Sequence, residues 1–203
     1  MPTCTVQYLQ DLAAELFVRS GAPQSEARVV AEALVRADMM GMPSHGVLRV
    51  VQYVKDAQEK SIVPGAKLVV KELSPTASLV DAQWNFGQVA AMRAVELALA
   101  TAKGHGMGSA SVRRCRHVGR LGAYTERAAR AGFAALASCS TAGEGHWVAP
   151  YGGRQGRLVG SLWYVLADFL PRDRSQRREN GRGMHEDQFS RPGDHSGPIS
   201  GHF

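Results

Sequence analysis

From Gly87 onward the chain alternates helix-length and strand-length apolar segments joined by brief connections, and this narrows its possible folds more than any other feature. The run QVAAMRAVELALATAK reads as a helix, GHGMG stops it, and SASV leads on as a strand. The pattern then repeats: Gly119 to Ala131 is expected to be helical, and Phe133 to Ser140 a short buried strand rich in small residues. Helix, strand, helix, strand in close succession argues for an α/β layer. Just upstream, AKLVVKEL and ASLVDAQ read as two strands separated by a turn at Ser74-Pro75. No fixed-period repeat of the solenoid kind is present.

The first 60 or so residues have a different rhythm. Leu9, Leu12, Leu16 and Phe17 recur at helical spacing, Gly21 closes that segment, and Pro23 suits the first turn of the next. Ala27, Val30, Ala31, Leu34 and Val35 mark a second amphipathic helix that should stop near Gly41. Ser44 is placed to cap a third helix with Val47, Val50, Val51 and Val54 as its apolar stripe, ending before Pro64-Gly65. The expected organisation is a helical unit with the first strand over 1–73, a partial α/β cofactor- and substrate-binding domain over 74–160, and a divergent tail over 161–203.

Composition supports this division. At 203 residues and 44% hydrophobic content, the chain can bury a sizeable core. Its net charge of +6 comes wholly from residues 1–160, with 18 Lys+Arg against 12 Asp+Glu, while the tail has 6 against 6. A basic excess permits attraction to nucleic acid, an anionic surface or a phosphorylated ligand without selecting among them. Cys4, Cys115 and Cys139 are odd in number and contain no C-x-x-C, so neither a disulfide framework nor a zinc ribbon is expected. The N-terminus lacks the pattern of a secretory signal, and SLWYVLADFL is too short to span a bilayer. These features predict a soluble, cytoplasmic protein with no membrane partner.

Three segments could carry chemistry. In PSHGVLR, His45 and Arg49 stand four residues apart, on one face if the segment is helical. Histidine exchanges protons near neutral pH, and arginine grips a carboxylate through paired hydrogen bonds. Ser44 and Arg49 are therefore candidate substrate-binding residues and His45 a candidate catalytic residue; the competing reading is a cap and a solvated charge. In RRCRHVGRLGAY, Arg113, Arg114, Arg116 and Arg120 crowd an expected helix N-terminus and would welcome an anion, or else form a solvated face. His117 lies at that junction as a second acid/base candidate or a structural residue. In SCSTAGEGHWVAPYGG, the hydroxyls of Ser140 and Thr141 follow a strand and could contact a cofactor; the alternative is an ordinary turn. Glu144 with His146 is too isolated for a metal site, and no G-x-G-x-x-G, P-loop or H-E-x-x-H occurs.

Taken in order, ADMMGMPSHGVLRV, VDAQWNFGQVAA, RHVGRLGAYTERAARAGFAALASCST and VAPYGGRQGRL resemble the malate/L-lactate dehydrogenase family that lacks the usual Rossmann domain. The resemblance implies a cytoplasmic, usually homodimeric oxidoreductase that moves hydride between NAD or NADP and a small 2-hydroxy or 2-keto acid, with no role for nucleic acid. The histidine of the family's S-H-G motif falls on His45 and that of its H-x-G-x-x-G motif on His117. Both line the active site in relatives; His45 is favoured as proton donor, with His117 the competitor. The hydroxyl that touches the cofactor in relatives falls on Ser140 or Thr141.

The resemblance stops after Arg157-Leu158, where VGSLWYVLADFL replaces the expected continuation. The following residues are rich in Arg, Gly, Ser, Pro and His without apolar periodicity, the composition of an irregular or disordered tail, or of a GC-rich gene read out of frame. The expectation is a frameshift or premature end and an incomplete chain, so that the family assignment can hold while this chain is inactive. The alternative is a non-catalytic α/β module that binds an anionic partner through its arginines.

Overall fold

The computed structural model describes residues 4–140 and 160–163, within the unit Met1–Phe169. Three helices come first: α1 (Val6–Arg19), α2 (Gln24–Met39) and α3 (Arg49–Gln58), with a short 3-10 turn at Pro43–His45 between the last two. The Thr5 hydroxyl accepts from the Tyr8 N–H and caps α1, and Asp11 pairs with Arg28 across α1 and α2. Phe17, Val30, Leu34, Tyr53, Ile62 and Phe86 interlock at the centre, the Phe17 and Phe86 rings meeting edge to face at 5.6 Å. Burying one such side chain contributes roughly 2–3 kcal/mol. Phe86 lies beyond the first strands, so the helical core is closed by the start of the next segment.

The third helix begins later than its sequence suggests. Ser44 does not cap it; Gly46 is extended and Leu48 stands at the N-cap. Asp38, near the end of α2, takes the place of the serine: its Oδ2 accepts from the Val47 N–H at 2.8 Å, the amide that a Ser44 cap would bind. Val50, Tyr53 and Ala57 face inward, and Val51, expected in the buried stripe, is 78% exposed.

Strands β1 (Val69–Ser74) and β2 (Ala77–Asp81) form an antiparallel hairpin, with the turn where Ser74-Pro75 predicts it. Helix α4 (Gly87–His105) then crosses back to β3 (Ser109–Arg113), which runs parallel to β2 with Ala77 opposite Ser109 and Asp81 opposite Arg113. The resulting β-α-β unit is the expected α/β layer. Every residue of β1 is exposed. Two expectations need correction. Helix α5 (Gly122–Arg130) starts three residues after Gly119, because Arg116 to Leu121 forms the loop that carries His117. Only Ala137–Ser140 (β4) of the expected buried strand is regular; it alternates half-buried and exposed residues, and it pairs with β5 (Gly160–Trp163) rather than with β2 or β3. Residues 161–163, assigned from sequence to the irregular tail, are part of β5; the rest of that tail lies outside the described residues.

Candidate active site

The segment between α2 and α3 sets the first histidine. The Asp38 carboxylate fills the space beside Gly46, so a Cβ there would have to push it aside from the Val47 N–H. With the backbone pinned from behind, the His45 ring is half-buried and its Nδ1 lies 2.9 Å from the exposed Ser44 hydroxyl. Arg49 opens α3. Its Nε donates to the Ser44 carbonyl at 2.7 Å and its Nη1 to Gln52 Oε1 at 2.7 Å. Two of its five N–H donors are thereby used, and no carboxylate among the described residues pairs with it.

The second histidine arrives on the loop after β3. Asp81 at the end of β2 accepts from Arg113 and Arg114, with both Arg114 bonds at 2.8 Å, and these cations hold its carboxyl down to about 2. The ion cluster fixes where the loop departs. Further along, the loop meets α4 with no side chain between them. At Gly87, the first residue of that helix, a Cβ would strike the carbonyls of Arg116 and His117, so the loop backbone rests directly on the helix start.

His45 and His117 meet with ring centroids 5.1 Å apart. Burial, then the charge of Arg49, lowers the His45 pKa below its ordinary value. Burial lowers His117 further, to about 4, with His45 and Arg49 adding to the shift. One side of His117 is open to solvent, which relieves part of that penalty, and the direction is what matters: a neutral imidazole at pH 7. Behind His117, its Nδ1 lies 2.6 Å from the Tyr53 hydroxyl, and Gln88 Nε2 donates to that same oxygen at 2.9 Å. Burial pushes the Tyr53 phenol up to about 12, so it keeps its proton.

The fold thus gathers Ser44, His45, Arg49 and His117, from segments distant in the chain, into one cluster. Ser140, the exposed last residue of β4, has no recorded contact with the cluster, and Thr141 lies outside the described residues. The arginine-lined helix start does not form as expected. Arg113 and Arg114 bind Asp81, Arg116 donates to the Ser61 carbonyl and lies over Trp84, and Arg120 pairs with Glu126. Among the described residues no group of three His, Cys, Asp or Glu side chains could hold a metal ion, and no helix is long and apolar enough to cross a membrane. Sequence reasoning missed Tyr53 and Gln88. Tyr53 follows Arg49 by four residues, a spacing that places it on the same helix face.

Residues 4–161 match the sequence pattern of the family described as malate/L-lactate dehydrogenase. The chain is 30% identical over 153 residues to the L-sulfolactate dehydrogenase of Methanocaldococcus jannaschii, covering 75% of this chain and 43% of that protein. It is 32% identical over 152 residues to the malate dehydrogenase of Pyrococcus abyssi, covering 75% of this chain and 41% of the relative. Among solved structures, the malate dehydrogenase of Pyrococcus horikoshii superposes with a TM-score of 0.63 at 31% identity, over 64% of this chain and 38% of the other. The chain therefore spans about two-fifths of the length of the curated relatives it matches. The family pattern spans both histidines, and relatives and fold agree with it: the chain belongs to the malate/L-lactate dehydrogenase family.

Proposed function

We propose that the cluster of His45, Arg49 and His117 is the substrate end of a dehydrogenase site, where a small 2-hydroxy acid is oxidised or the matching 2-keto acid reduced with NAD or NADP as cofactor. The observation that carries this reading is the pair of imidazoles 5.1 Å apart, beside a guanidinium with unused donors. Such a donor set suits a substrate with a carboxylate next to a carbonyl or hydroxyl. Arg49 holds the carboxylate and Ser44 lends its hydroxyl. His45 exchanges the proton at the substrate oxygen, with His117 the competing donor.

The direction of the His45 shift has a consequence. A neutral ring accepts the hydroxyl proton during oxidation, whereas reduction requires the protonated ring, so lower pH favours reduction and higher pH oxidation. When bound, the nicotinamide cofactor supplies or accepts the hydride. The described residues fit one in a limited way: the exposed Ser140 hydroxyl at the end of β4 can hydrogen-bond to it, and Thr141 is proposed as its neighbour.

Purified chain mixed with NADH or NADPH and pyruvate or oxaloacetate tests the proposal through loss of nicotinamide absorbance. Turnover that disappears in His45→Gln supports it; turnover unaffected by both His45→Gln and His117→Gln would sink it. We further propose cytoplasmic location and a homodimer, the latter checked by light scattering, and a division between helical unit and α/β part at 73/74. The frameshift reading is tested by translating the other two frames beyond codon 158: an inactive chain is expected if either frame restores the family pattern. The arginine-module alternative gains no support from the geometry, since its arginines are engaged within the chain.

A further inference from the structure

Gln88, the second residue of α4, is 1% exposed although polar. It reaches two things that matter to His117. Its Nε2 donates to the Tyr53 oxygen, and Gly119, left-handed at φ 72°, lies so close that a Cβ there would come within 3.2 Å of the same nitrogen. The amide therefore touches both the phenol behind His117 and the backbone two residues beyond it.

The hydrogen-bond directions follow from inventory. The phenol oxygen accepts from the amide, and among the described residues its own proton has no hydrogen-bond partner other than His117 Nδ1, 2.6 Å away. A ring nitrogen that accepts cannot also carry the imidazole proton, so the neutral ring bears it on Nε2. Turning the Gln88 amide end for end would reverse both bonds. The present orientation leaves Gln88 Oε1 and one amide proton without a partner, whereas the reverse would leave both buried amide protons unpaired. Orphaned buried N–H groups are the rarer of the two.

We propose that Gln88 is a positioning residue that, through Tyr53, holds His117 as its Nε2–H tautomer, so that His117 offers the substrate oxygen a hydrogen bond and leaves proton exchange to His45. The assignment of His117 toward substrate rests on the functional reading above; the tautomer does not.

Long-range proton–nitrogen NMR spectra of isotope-labelled protein, recorded above neutral pH without cofactor or substrate, read the tautomer directly. His117 signals are identified by their loss in His117→Gln. The expected wild-type ratio is roughly ten to one or more for the Nε2–H form, falling in Gln88→Met and in Tyr53→Phe toward the smaller preference of a free histidine. Apart from Tyr53 itself, the charged and titratable groups facing the ring, His45 and Arg49, are unchanged in both variants. A wild-type ring with its proton chiefly on Nδ1 would overturn the proposal, and this needs no variant to fold. So would a Gln88→Met protein with a native circular dichroism spectrum and the wild-type ratio. Nicotinamide fluorescence on adding NADH or NADPH tests the functional reading separately: no binding with the ratio intact counts against that reading alone.

Discussion

The two loops that carry histidine are built on opposite plans. The Ser44–Val47 segment is gripped through its backbone, by the Asp38 carboxylate on the Val47 N–H, and leaves the His45 ring with only an exposed serine hydroxyl. The Arg116–Leu121 loop rests its backbone on Gly87 and has its ring gripped as well, through Tyr53 and Gln88. One histidine is placed but free to exchange a proton; the other is placed and oriented. Identical residue types thus meet different surroundings.

The contrast is most severely tested at the backbone contact of the second loop. Gly87→Val should cost about 2–3 kcal/mol in denaturant unfolding, because the added atoms must push the His117 backbone off the helix start. A cost below about 0.5 kcal/mol would mean that the loop is not seated there.

Acid should separate the rings next. His117 titrates near 4 in the folded chain against an ordinary 6.5, so between those values the unfolded chain binds the extra proton. Stability therefore falls as pH drops from 6.5 through 4, by on the order of 1–2 kcal/mol once the solvent-facing side of the ring is allowed for. His117→Gln should flatten that slope. Asp81, held at about 2 by its arginines, has the same sign in a lower window: its contribution is lost as pH falls from 3.8 through 2. A slope unchanged in His117→Gln would remove the ring from its assigned surroundings.

Asp38→Asn should cost about 1 kcal/mol and loosen the His45 loop while leaving the His117 tautomer as it was. Paired chemical-shift maps of the two loops check that independence. Ser44→Ala should change stability by less than about 0.5 kcal/mol, since its bond to His45 is exposed. A larger loss would show the first ring to be held as firmly as the second.

The periodic segments were legible: α1, α2, α4 and the β1–β2 hairpin lie where apolar spacing and turn residues place them. The histidines and Arg49 stand out in the sequence by residue type, and the fold brings them into one cluster. What escaped were partnerships over distance. Arg113 and Arg114 look like an anion trap until Asp81, more than thirty positions earlier, is seen to occupy them. Tyr53 reads as one more apolar position, and Gln88 as an ordinary helix opener, because only folding brings them to His117. The start of α3 was misread for a similar reason, as Asp38 takes an amide that local sequence assigns to the helix.

The pairing of Asp81 with Arg113 at the ends of two parallel strands also works as a gauge. Strands advance about 3.3 Å per residue, and a slip of one position would reverse which face each side chain occupies. Such a slip would carry His117 away from a partner ring whose centroid now lies 5.1 Å off. The spacing of the two imidazoles is therefore metered by a salt bridge that touches neither, and a family member could retune its chemistry by editing the strand ends and leaving both histidines alone.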